Sequence, residues 1–170
     1  FLLLLVSVQT FAQIRRTAVF DFTNPTALNP SITPEPENAQ NVMVTDKVFK
    51  NLGVNISFNA IGQYPIGARI QTSVISGETS YFLKLASISD MTFGVANGAT
   101  LNEISFSEET IFGGLYLKDG EAGTMNPYET YKKWEAGNST SVSSVTFRNT
   151  DKDSHFLKIY VTYTEPSDVL

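Results

Sequence analysis

The sequence predicts an all-β protein, an antiparallel two-sheet β-sandwich of the jelly-roll type. Three observations carry that expectation. Val, Ile, Thr, Phe and Tyr recur in short runs whose apolar residues alternate with polar ones, the period of a half-buried strand. Turn-forming clusters of Gly, Pro, Asn and Ser separate these runs at intervals of roughly 8–15 residues, the spacing of a sandwich or barrel. Long Ala, Leu, Glu and Lys runs at helical spacing are missing. The 170 residues fit one domain, long enough to bury a core without disulfides. An immunoglobulin-like sandwich commonly takes about 100 residues and seven strands. The nine or ten strands counted below suit a jelly roll better.

Residues 1–12 (FLLLLVSVQTFA) are apolar and end in small residues at Thr10 and Ala12. That is the pattern of the second half of a secretory signal, with cleavage expected after Ala12. The run is shorter than the roughly 20 residues of a membrane span. A single sandwich domain is therefore expected over 13–170, with no membrane span in the mature chain. Ala18–Phe22 opens it as a strand. Asn24–Glu37 holds four of the seven prolines and reads as a loop, because each proline removes a donor and restricts its predecessor. Val42–Lys50 and Val54–Phe58 read as strands about the turn Asn51-Leu52-Gly53. Ile66–Ile75 reads as a longer strand with Ile66, Ala68 and Ile70 on one face.

Tyr81–Leu85 places Tyr81, Leu83 and Leu85 on one face, and Asp90–Ala96 does so with Met91, Phe93 and Val95. Asn97-Gly98 then signals a hairpin into Leu101–Ser107, since both residues tolerate positive φ. Leu115–Leu117 is a short strand, and Tyr128–Trp134 (YETYKKW) is a helical turn or an aromatic loop. The clearest stretch is Ser141–Tyr163 (SVSSVTFRNTDKDSHFLKIYVTY). It reads as a β-hairpin: Val145 and Phe147 share a face, and Leu157, Ile159, Val161 and Tyr163 share another, about a polar turn at 149–154. Glu165–Leu170 is expected to fray.

The absence of cysteine excludes a disulfide scaffold, a thiolate zinc site and a cysteine nucleophile. A net charge of −5 and a pI near 4.8 argue against a nucleic-acid partner and against an anionic membrane surface. His155 is the only histidine, and it shares the parity of Leu157 at the start of the last strand. No G-x-S-x-G elbow accompanies it, so a hydrogen-bonded or edge histidine is expected. The carboxylates Glu103, Glu108, Glu109, Asp119, Glu121 and Glu129 read as solvated surface acids, with no pair set apart as a glycosidase requires.

Three segments, VFDFTNPTALNPSITP, ATLNEISFS and KKWEAGNSTSVSSVTFRNTDKDSHFLKIYVTY, carry a likeness. The chain resembles bacterial secreted jelly-roll modules, similar to the carbohydrate-binding-module-like accessory domains of polysaccharide-active and adhesin-like proteins. The resemblance implies a secreted or cell-surface protein, periplasmic or extracellular. It transfers no ligand residue.

Sugars present C–H faces and a rim of hydroxyls, so aromatic rings in loops are the candidate binding groups. These are Tyr64, Tyr116, Tyr128, Tyr131 and Trp134, with Trp134 also expected to plug one end of the sandwich through an N–H bond to a carbonyl. Hard cations take oxygen ligands from acidic loops, which makes Asp151 with Asp153, and Asp119 with Glu121, a weak pattern for structural calcium. No other cofactor is expected. The sequence thus points to a non-catalytic module with a glycan partner. The alternatives are an adhesin-like or structural surface protein with a cell-surface protein partner, and a small glycoside hydrolase.

Overall fold

The computed structural model describes residues 13–34, 41–61, 67–75, 78–96, 98–125, 132–138 and 141–166, the side chains of 41, 73–75 and 78 excepted. The signal-like segment 1–12 lies outside them. The described chain is all-β, with fourteen strands and one 3-10 turn at Pro25–Ala27. The strands are β1 (Ile14–Asp21), β2 (Asn41–Met43), β3 (Val48–Asn51), β4 (Val54–Ala60), β5 (Ala68–Ile75), β6 (Glu78–Leu85) and β7 (Ser89–Val95). There follow β8 (Thr100–Phe106), β9 (Leu115–Leu117), β10 (Thr124–Met125), β11 (Lys133–Glu135), β12 (Ser144–Asn149), β13 (Ser154–Phe156) and β14 (Lys158–Glu165). They form three antiparallel sheets, in the orders β1-β14-β8-β11-β10, β3-β4-β7-β12-β9 and β13-β6-β5-β2. No barrel closes.

Alternation places the core as the sequence predicts. Ala18 and Phe20 of β1, Ile159, Val161 and Tyr163 of β14, and Ile104 and Phe106 of β8 are buried from the first sheet. Phe49, Ile56, Phe93, Val145 and Phe147 are buried from the second, and Ile70, Leu83, Leu85 and Phe156 from the third. All belong to one cluster. Phe106 joins the sheets: its ring lies 6.3 Å from Phe147 and 5.4 Å from Phe156. A bulge at Asn102, opposite Thr162 and Tyr163, lets Leu101 and Ile104 both face inward although three residues apart.

Two expected hairpins are not hairpins. β12 pairs with β7 and β9, whereas β13 pairs with β6 and β14 with β1 and β8. The polar segment 150–153 therefore carries the chain between sheets. The parity expected at Leu157 also breaks. Phe156 and Ile159 are both buried while Leu157 is half-buried, because the chain bends there from the third sheet into the first. Gly98 takes φ +79°, yet β7 and β8 lie in different sheets, so this turn too is an arch. Val42–Lys50 divides between two sheets as β2 and β3. Glu165 is not frayed; it pairs with Ile14. The expected hairpin at Asn51-Leu52-Gly53 forms, with φ +47° at Leu52 and +81° at Gly53, the twist that joins adjacent antiparallel strands.

Candidate functional site

Trp134 is fully buried on β11, and its indole N–H donates to the Ala122 carbonyl at 2.9 Å. The ring lies so close to Gly123 (φ +89°) that a β-carbon there would collide with it. Trp134 is a plug, and its face is closed to a ligand. Tyr116 is exposed on β9, directly across from Arg148 of β12. Tyr64, Tyr128 and Tyr131 lie outside the described residues. Of the five aromatic candidates, the described residues thus include one buried plug and one exposed ring.

The acidic candidates lie in two separate segments. Asp153 is taken by Lys84 at 2.6 Å and accepts the Ser87 amide at 3.1 Å. Burial pushes its carboxyl up, but these bonds outweigh it and hold the group below the ordinary carboxylate value. Asp151 is exposed on the crossing segment, and Asp119 and Glu121 sit in a turn closed by the Glu121 amide on the Lys118 carbonyl at 3.1 Å. Among the described residues no three His, Asp or Glu side chains converge on a point.

Three surface features remain. The first is a groove of about 800 Å³ at the seam where the edges of the first two sheets meet. β1 forms one wall, the β3–β4 hairpin the other, and the loop after the 3-10 turn the end. Phe20, Leu28 and Val54 give it an apolar floor, and Asp21, Asn29, Lys50 and Asn55 a polar rim. Two bonds fix its width: Asn51 Nδ2 donates to the Val19 carbonyl, and the Lys50 amide to the Asn29 carbonyl, both at 2.7 Å. Asp21 is held by the Thr23 amide and hydroxyl and by Lys158 at 3.1 Å. Burial raises its carboxyl, and these partners more than reverse the effect, so it stays ionised. A groove of this size, apolar below and polar at the lip, can hold a small polyhydroxylated molecule. The aromatic signal missed it. The Asn residues at 29, 51 and 55, flanking a proline-rich loop and a tight turn, were the available sign.

The second feature is the outer face of β3-β4-β7-β12-β9. Asp90 projects there and is nevertheless buried, clamped bidentately by Arg148 at 2.8 and 2.9 Å and by Lys118 at 3.2 Å. Burial pushes the carboxyl up, but the cations win and it lies below the ordinary value. The third is the outer face of β13-β6-β5-β2, where the Phe82 and His155 rings lie 4.7 Å apart. Arg69, Gln71 and Lys84 surround them.

No described helix is long and apolar enough to cross a membrane. No family model, curated protein or solved structure matches the chain, which leaves these three surfaces to speak for its function.

Proposed function

We propose that the protein is an exported, non-catalytic module of jelly-roll type that binds carbohydrate in the groove between β1 and the β3–β4 hairpin. The groove is the observation that carries this reading. Its volume falls in the range of small-molecule sites, and its amides and charges match hydroxyl groups while its floor accepts C–H faces. The non-catalytic half rests on Asp21. It is the one carboxylate among the lining residues, and its partners keep it ionised and unfit as a general acid, where a glycosidase needs two. Export rests on the signal-like pattern of residues 1–12. Affinity gels or a glycan panel test the reading. Asn29→Ala and Asn55→Ala should each weaken retention; silence across a broad panel, or retention indifferent to both changes, defeats it.

A second reading, an adhesin-like protein with a protein partner, is favoured by the outer edge of β1. No described strand pairs with that edge, and Ile14 is exposed at its start, ahead of Val19, whose carbonyl Asn51 takes. The Phe22 amide bonds toward β14, so odd-numbered residues of β1 turn their backbone groups outward. Thr17→Pro would block strand addition at that edge without touching the β14 ladder. Lost adhesion to immobilised matrix proteins, with glycan retention unchanged, would select this reading; unchanged adhesion would dismiss it.

A further inference from the structure

We propose that the outer face of the four-stranded sheet β13-β6-β5-β2 binds an acidic sugar residue. Arg69 and Lys84 hold its carboxylate or sulfate, and the Phe82–His155 pair meets its ring. This site shares no residue with the groove and does not rest on that reading.

Register brings the groups together. Arg69 of β5 stands opposite Lys84 of β6, and Lys84 opposite His155 of β13, so the three form one row across three strands. Gln71 stands opposite Phe82 in the adjacent row. Their neighbours Ala68, Ile70, Leu83, Leu85, Ser154 and Phe156 are buried, which turns this row and the next outward. Among the described residues the face carries more cation than it uses. Lys84 is paired with Asp153, whereas no acid pairs with Arg69 among the described residues.

Two polar atoms on this face lack partners. Arg69 Nε and Gln71 Oε1 are shielded from solvent, and neither makes a hydrogen bond. A shielded polar atom without a partner is costly, and one atom here is a donor and the other an acceptor. A bare anion could satisfy only Arg69. Once the side chains that shield these two atoms shift aside, an acidic sugar supplies acceptors for Arg69 from its charged group and a donor for Gln71 from a hydroxyl. Its C–H face suits the Phe82–His155 pair, whose rings make a small apolar platform. The net charge of −5 disfavours a polyanion, so the ligand is a singly charged residue in a largely neutral glycan.

His155 is the only histidine, so its Cε1–H resonance is a single, assignable reporter at this face. The full chain would be titrated with glucuronic acid and N-acetylglucosamine 6-sulfate, with glucose, N-acetylglucosamine and inorganic sulfate as controls. One or both acidic sugars should move the resonance saturably, and the neutral parents and inorganic sulfate should not. Response to glucuronic acid alone assigns a carboxylate ligand, and response to the sulfated sugar alone a sulfate ester. Arg69→Met keeps the side-chain stem and should weaken binding roughly ten- to a hundred-fold, the worth of a charged hydrogen bond. Gln71→Leu should weaken it less, and Lys47→Gln, on an exposed pair elsewhere, should leave it unchanged. The proposal falls if neither acid moves the resonance, if the neutral parents or inorganic sulfate bind equally well, or if both Arg69→Met and Gln71→Leu bind like the parent.

Discussion

The outer faces of the sheets β3-β4-β7-β12-β9 and β13-β6-β5-β2 each set a carboxylate among cations, and they resolve it differently. On the first, Asp90 receives three charged hydrogen bonds from Arg148 and Lys118, and every oxygen is used. On the second, Asp153 takes Lys84 and a backbone amide, and Arg69 is left over. Both faces come from the same pattern of alternating strands. What separates them is whether the charges close on themselves. A closed network holds strands in register and has nothing to offer a ligand. An open one holds less and keeps valence in reserve.

Breaking the closed network should have the largest effect on stability. Asp90→Ala strands two cations over a buried position. Breaking a buried pair costs about 3–5 kcal/mol, but the side chains of Arg148 and Lys118 remain 30% and 39% exposed, so about 2–3 kcal/mol is expected here. Urea denaturation measures it. Arg69→Met on the other face removes a donor that has no partner, so the same measurement should give a change within about 1 kcal/mol of zero, of either sign. Equal losses at the two sites would erase the distinction between the faces.

That distinction was only half legible in the sequence. Alternation put Ala68 and Ile70 on one face and Met91, Phe93 and Val95 on another, which leaves Arg69, Gln71 and Asp90 to point the other way. Alternation is a local property, and it says nothing of which strand lies alongside. Asp90 meets Arg148 across 58 residues, and His155 meets Arg69 through Lys84 on a strand between them. The two expected hairpins that do not form, at 97–98 and at 149–154, failed for the same reason. Turn chemistry at Gly98 reports that φ is positive, not which sheet receives the chain. Leu157 was assigned inward on parity, because a bend between two sheets leaves no mark on a period-two pattern. The groove was missed because aromatic content was the guide, while its rim is built from amides that also serve ordinary turns.

Acid should sharpen the comparison next. Asp90 and Asp153 both lie below their ordinary value of 3.8 in the folded protein. A carboxyl held low when folded stabilises fully above its unfolded value, and loses that contribution as pH falls through the folded one. Unfolding free energy should therefore decline below about pH 4, near the unfolded carboxyl value. Asp90→Asn should flatten the decline more than Asp153→Asn, since two cations bear on Asp90 and one forms an ion pair with Asp153. An equal flattening would mean that Arg69 acts on Asp153 as strongly as a bonded cation.

The smallest effect concerns His155. Burial, then the charges of Lys84 and Arg69, hold its imidazole below the ordinary 6.5, with Asp153 acting the other way. It is therefore neutral at pH 7. Lowering the pH through that depressed value adds a third positive charge to the open face, at some cost to the folded state. A bound anion repays that cost, so binding of an acidic sugar should raise the imidazole pKa and tighten as pH falls. His155→Phe keeps a ring against Phe82 and should preserve both fold and platform while abolishing the tightening. If affinity stays flat with pH in the parent protein, the charged group of the ligand does not lie against this ring. The closed face offers the control, because Asp90, Arg148 and Lys118 have no imidazole beside them and should show no such dependence.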